Sequence, residues 1–174
     1  MYTENRNSTL ILYSSRGGTA LAYAERLCGM RDCDIMESKD AKLTQLRAYE
    51  TIIWMGGVYA GRIEGLETLQ KYHKKLTDQR LAIFAIGAAV DEFEAKIDLP
   101  GELSEIPLFY GRGRWNLKTM SWKDQMMIGM LKAAQEKKPE AVPEWMNQLL
   151  NEEKPQDFME DYYLEPLLDV ISGR

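Results

Sequence analysis

A chain of 174 residues, 45% of them hydrophobic, is long enough to bury one ordinary globular core without outside help. Its net charge of -5 argues against the basic footprint that neutralises nucleic-acid phosphates. No window reaches the roughly 20 uninterrupted apolar residues of an integral membrane span, and residues 1–7 lack the basic-then-apolar layout of a secretion leader, so a cytoplasmic location is expected.

The first apolar run, Leu10-Ile-Leu-Tyr13, shows no polar alternation, the pattern of a strand covered on both faces and hence of a parallel sheet. A small-residue segment then leads into Ala20-Leu-Ala-Tyr-Ala-Glu-Arg-Leu27, strong helix formers for which Gly29 is the expected stop. Cys33-Asp-Ile-Met36 is shorter and more polar, which suits an edge strand. Cys28 and Cys33 have neither the number nor the spacing of a zinc site, a CxxC pair or an iron–sulfur cluster, and read as buried thiols.

Ile52-Ile-Trp-Met55 is the third strand, and Leu66, Leu69, Tyr72, His73 and Leu76 follow at the spacing of a helix with one buried stripe. His73, the only histidine, belongs to that stripe and reads as structural. Leu81-Ala-Ile-Phe-Ala-Ile86 and Ile106-Pro-Leu-Phe-Tyr110 complete five strands, with Asp91, Glu92 and Glu94 between them as a solvated helix face. Gly111-Arg-Gly-Arg-Trp115 reads as a loop that leaves Arg112 and Arg114 in solvent, the alternative being a cationic rim at the carboxyl end of the sheet that attracts a carboxylated substrate. Ser121-Trp-Lys-Asp124 has the shape of a capping box, opening a helix whose Met126, Met127 and Met130 read as core filler. Lys137-Lys-Pro139 ends it, and the polar Asn151-Glu-Glu-Lys-Pro155 precedes a last helix around residues 164–171.

Repeated β-α-β units with right-handed crossovers give a doubly wound α/β fold. Five parallel strands in the order 2-1-3-4-5, helices on both faces and extra C-terminal helices are expected. The chain reads as a single domain over residues 1–174, with a core at about 8–136 and a helical extension at about 137–174.

Chemistry concentrates where the first strand meets the first helix. Ser14, Ser15, Arg16, Gly17, Gly18, Thr19 and Ala20 form a loop whose backbone N–H groups converge near a helix amino end, a site suited to a phosphate. It is neither a Walker A loop nor GxGxxG, and the plainer alternative is an ordinary glycine-rich turn. Gly57, Val58, Tyr59 and Ala60 follow the third strand, and Gly87, Ala88 and Ala89 follow the fourth. Ligands in open α/β sheets bind at this end, beside the topological switch. No general acid–base constellation and no metal-ligand cluster stands out.

These loops resemble the flavodoxin family, whose first loop runs approximately Ser/Thr-x-Thr-Gly-x-Thr and wraps the phosphate of FMN. With Gly17 as the family glycine, Thr19 takes the last threonine place and Arg16 replaces the middle one. With Gly18 in that role, Gly17 and Ala20 replace both. The resemblance implies bound FMN, with Tyr59 stacked on its ring and the backbone at Gly87, Ala88 and Ala89 against its edge. The stretch from Phe109 to Met130 is similar to the flavodoxin-domain branch that includes menaquinone-dependent protoporphyrinogen oxidases. That implies electron transfer or a small oxidoreductase, with a redox protein or a quinone- or porphyrinogen-type molecule as partner. The alternative is a flavodoxin-fold binding or regulatory module that has lost FMN.

Overall fold

The structure, a computed structural model, describes residues 8–174; residues 1–7, read above for a leader, lie outside the described residues. β1 (Thr9–Ser14), β2 (Asp34–Glu37), β3 (Thr51–Tyr59), β5 (Arg80–Gly87) and β6 (Leu108–Arg112) form a parallel sheet in the order β2-β1-β3-β5-β6. A two-residue strand, β4 (Arg62–Ile63), folds back antiparallel on β3. This is the flavodoxin-like order expected from the sequence, with the polar β2 at one edge. Ile53, at the centre, pairs with Ile11 on one side and Ala82 on the other.

Strand residues point alternately to opposite faces, so each buried run feeds two cores. Leu10, Leu12, Ile52, Trp54 and Ile83 face α2 (Leu43–Leu46) and α3 (Leu66–Tyr72) through Leu46, Leu66 and Leu69. Ile11, Ile53, Met55 and Phe84 face α1 (Thr19–Met30) through Tyr23, Ala24 and Leu27. The same face is completed by Met159, Leu164 and Leu167, the last on α7 (Glu165–Ser172). The C-terminal segment therefore packs into the sheet. The Tyr23 hydroxyl ties three parts together: it donates to the Arg112 carbonyl at 2.6 Å and accepts from the Glu160 N–H at 3.3 Å. Burial pushes this phenol up to about 12.

Several expectations are corrected. Gly29 does not stop α1, which runs on to Met30 and ends where Arg31 turns extended. Cys28 and Cys33 are half-buried and joined in a disulfide across the turn between α1 and β2, which brings their Cα atoms to 5.2 Å. α3 ends at Tyr72 in a 3-10 turn, and His73 is half-buried with Nδ1 2.9 Å from the Gln70 carbonyl. The segment 111–115 is not a loop. Gly111 and Arg112 extend β6, where a Cβ on Gly111 would lie 2.5 Å from the Phe84 ring, and Arg114–Trp115 form β7. β7 pairs antiparallel with β8 (Gln156–Asp157).

After the one-turn α4 (Glu92–Ala95) come α5 (Trp122–Lys137) and α6 (Glu144–Leu150) in the connections beyond β5 and β7. Ser121 caps α5, its Oγ accepting from the Asp124 N–H at 3.2 Å and donating to the Asp124 carboxylate at 2.7 Å. The methionines do not fill the core. Met126, Met127 and Met130 are 58%, 42% and 69% exposed, and Trp122 is 69% exposed. The inward side of α5 is instead Ile128 with Leu131, packed against Trp115, Val142, Leu149 and Leu150.

Candidate functional site

A cleft of about 590 Å³ opens at the carboxyl ends of β1, β3 and β5, at the point where the chain crosses from one side of the sheet to the other. Its size falls within the usual range for small-molecule and cofactor sites, roughly 300–1,000 Å³.

The first wall is the β1–α1 connection. Gly18, at φ 77°, makes the left-handed turn into α1, and no side chain caps the helix, so its first-turn N–H groups stay open to a ligand. Ser15, Arg16, Gly17, Thr19 and Ala20 line the cleft. A Cβ on Gly17 would meet nothing within 4 Å, which leaves the approach to these amides clear. Ser14 is not on the lining: its Cβ lies 2.6 Å from where a Cβ on Gly65 would sit, on the side toward α3.

The second wall is the end of β3. Its glycines carry the strand four residues past Met55, to Tyr59. Ala60 and Gly61, at φ 49° and 78°, make a two-residue turn of the kind that closes tight hairpins. Gly57, Val58 and Tyr59 therefore face the cleft, whereas Ala60 belongs to the turn. The hairpin returns Glu64 to the same place, its N–H donating to the Gly57 carbonyl at 3.0 Å. Gly56 has to be a glycine here, since a Cβ would collide with the Glu64 carbonyl and lie 2.9 Å from Ile63.

At the third wall Gly87 and Ala88 line the cleft, while Ala89 is buried beneath it with its carbonyl accepting from the Tyr110 hydroxyl at 3.0 Å. The rim comes from Gly113 to Asn116, Thr119 to Ser121, Asp124, and Pro155 to Asp157 of the C-terminal arm. Arg114 on this rim pairs with Asp157 at 3.1 Å. Arg112 is not a solvated rim residue. Its guanidinium lies 3.8 Å from the centre of the Phe158 ring and donates to the Ala88 carbonyl at 3.1 Å.

Charge in the cleft is organised around Glu64. One carboxylate oxygen is paired with the Arg16 Nε, and the other is buried with no hydrogen-bond partner among the described residues. That second oxygen lies 3.4 Å from where a Cβ on Gly57 would sit, as does the edge of the Tyr59 ring. Burial pushes the Glu64 carboxyl above the ordinary carboxylate range; Arg16 pulls it down, and Asp124 and Glu67 push it further up. The Arg16 guanidinium also stands over Tyr59, 4.5 Å from the ring centre. Burial raises the Tyr59 phenol as well, with Glu64 and Asp124 adding to the rise.

Of the fourteen residues the sequence pointed to, Ser15, Arg16, Gly17, Thr19, Ala20, Gly57, Val58, Tyr59, Gly87 and Ala88 share this one cleft; Ser14, Gly18, Ala60 and Ala89 do not line it. Among the described residues no cluster of three or more His, Cys, Asp or Glu side chains is placed to hold a metal ion, and no helix is long and apolar enough to cross a membrane.

A parallel sheet in this order, with its cleft beyond the strand ends, defines the flavodoxin-like class of α/β proteins. The chain belongs to the flavodoxin domain family, whose pattern matches residues 10–141. No curated protein matches it. Among solved structures it is similar to a flavoprotein in complex with FMN from Lactobacillus acidophilus NCFM, at 18% identity over 60% of this chain and 91% of that one, with a TM-score of 0.47. Oxidised flavodoxin 1 from Bacillus cereus is similar at 13% identity over 61% and 84% of the two chains, with a TM-score of 0.43. A flavodoxin from the domain Archaea is similar at 15% identity over 60% and 83%, with a TM-score of 0.41.

Proposed function

We propose that the protein binds FMN in this cleft and acts in electron transfer or as a small oxidoreductase. The observation that carries the reading is the convergence of an uncapped α1 amino end, the glycine-lined ends of β3 and β5, and Tyr59 on one cleft. The residues present suit the cofactor. The open amides at residues 17–20, with Ser15 and Thr19 hydroxyls beside them, suit a phosphate. Tyr59 offers an aromatic face, and Gly57 and Gly87 allow close backbone approach.

When bound, FMN would supply one- and two-electron redox chemistry; the chain's own residues bind, orient and exclude water. The α1 amides would fix the anionic end, and Tyr59 with Gly57 and Gly87 would fix the plane of the ring. Trp115 and Met120 on the rim would keep water from its edge.

The finer part of the proposal follows the resemblance of residues 109–130: the partner is a redox protein, or a quinone- or porphyrinogen-type small molecule, in the cytoplasm. A second reading, a binding module without flavin, draws on the Arg16 side chain lying where a ring would stack on Tyr59.

Gel filtration with added FMN separates the two. The redox reading expects flavin absorbance to co-migrate with the protein, fluorescence to be quenched, and the fold to gain about 2.7 kcal/mol at 100 times the dissociation constant. FMN that elutes freely with a flat melting temperature leaves the binding module. Turnover of a porphyrinogen with a quinone then argues for the oxidoreductase, and rapid reduction by a flavodoxin reductase without such turnover argues for carriage.

A further inference from the structure

The most unusual group in the cleft is the trio Arg16, Glu64 and Tyr59. Arg16 comes from the phosphate-type loop, yet its side chain pairs with Glu64 and covers Tyr59. A planar ring between Arg16 and Tyr59 needs about 3.5 Å on each side, which the present 4.5 Å separation does not give. For a ring to stack on Tyr59, the guanidinium has to move.

Resting on the reading of the cleft as an FMN site, we propose that Arg16 and Glu64 form a latch over Tyr59 that a ligand phosphate opens: the phosphate takes the guanidinium, Glu64 takes up a proton from solvent, and the Tyr59 face is released. The exchange is a competition between two anions for one cation. A phosphate gathered by the α1 amides lies within the loop that carries Arg16, and a guanidinium can meet it with two parallel charge-assisted hydrogen bonds.

What Glu64 does next follows from its surroundings. Its side chain is 14% exposed, against 60% for Arg16, so the arginine is free to swing and the glutamate is not. Without its cation, Glu64 becomes an uncompensated buried charge, already short of a partner at its second oxygen. The groups that face it add to the difficulty: Glu67 on α3, Asp124 on α5, the Tyr59 phenol on β3 and the arriving phosphate are anionic or neutral. Protonation is the least costly relief for a carboxylate so placed. The latch therefore reads the phosphate and not the ring, and couples its arrival to uptake of one proton.

The test uses the full chain labelled with 13C at Glu side-chain carboxyls, the Glu64 resonance being assigned by its loss in Glu64→Gln. At a pH of about 6 to 8, FMN and inorganic phosphate should each move that resonance toward the protonated position, and riboflavin, which has no phosphate, should not. FMN affinity should fall with rising pH more steeply than in Glu64→Gln, by up to tenfold per pH unit between the free-state and the bound-state pKa of Glu64; the cofactor's own phosphate titrates in both proteins, so the difference is what is read. Bound FMN with an unmoved Glu64 resonance and parallel pH profiles overturns the latch and leaves the FMN reading intact. If inorganic phosphate protonates Glu64 while FMN does not bind, the latch stands and the FMN reading falls. No movement with either ligand overturns the latch.

Discussion

Tyr59 is placed by backbone rather than by packing: the glycines before it extend β3, and the Ala60–Gly61 turn behind it holds the ring over Gly57. In the FMN reading its contribution is the face of the ring. Tyr59→Ala should weaken FMN by about 1 kcal/mol, the scale of an aromatic stacking contact beyond simple burial, and Tyr59→Phe should stay near the parent value. Fluorescence quenching titrations measure both. A loss in the Phe variant as large as in the Ala variant would assign the role to the hydroxyl instead. Glu64, the other residue that shapes this wall, was invisible in the sequence. It reaches the cleft only because two residues with positive φ reverse the chain, and an Ala-Gly pair is a weak turn signal beside Asn-Gly or Asp-Gly.

Among the elements, the β7–β8 arm is one of the smallest and forms part of the rim. Burial pushes the Asp157 carboxyl up, but the Met159 N–H at 3.0 Å and the Arg114 guanidinium at 3.1 Å together hold it below the ordinary carboxylate range. A carboxyl depressed in the folded state contributes stability above its unfolded pKa of about 3.9 and loses it as pH falls through the folded value. The arm should therefore loosen on acidification below about pH 4, and Asp157→Asn should loosen it already at neutral pH. Exchange of the Trp115 indole N–H, which donates to the Leu149 carbonyl at 3.1 Å, reports this directly. Unchanged exchange in Asp157→Asn would remove Asp157 from that role.

The same element shows what was legible. Four strands could be read because parallel pairing demands continuous apolar runs, and the fifth, β2, as an edge because it is polar. Two-residue strands such as β7 and β8 are too short for any hydrophobic period to mark them. α5 misled for the opposite reason: Trp122, Met126 and Met130 carry the spacing of a buried stripe, but spacing records only that a face is apolar, not that anything covers it. The glycines after Met55, and Gly111 with Arg112, read as loops because glycine leaves no apolar mark, although both continue strands.

At the scale of the whole molecule, the question is whether the C-terminal extension is an appendage or part of the fold. Leu167 is 0% exposed in the core that also holds Phe84 and Tyr23. Leu167→Ala should cost about 2–5 kcal/mol in urea denaturation, the range for truncating a buried leucine. In the single-domain reading, circular dichroism and tryptophan fluorescence should show one coincident transition. Separate transitions, with the sheet outlasting the helices beyond residue 137, would divide the chain into two cooperative units.

The cleft draws its walls from distant parts of the chain: one wall from Ser15 to Gly17 with Thr19 and Ala20, part of the rim from Pro155 to Asp157. During synthesis the first loop leaves the ribosome long before its opposing wall exists, so in the FMN reading a nascent chain would offer the loop proposed for the phosphate while the rim is still untranslated. Full enclosure of a ligand then waits until β8 has emerged to pair with β7. A cofactor captured earlier would be held at one end only, and the last strand translated around the cleft would seal it in.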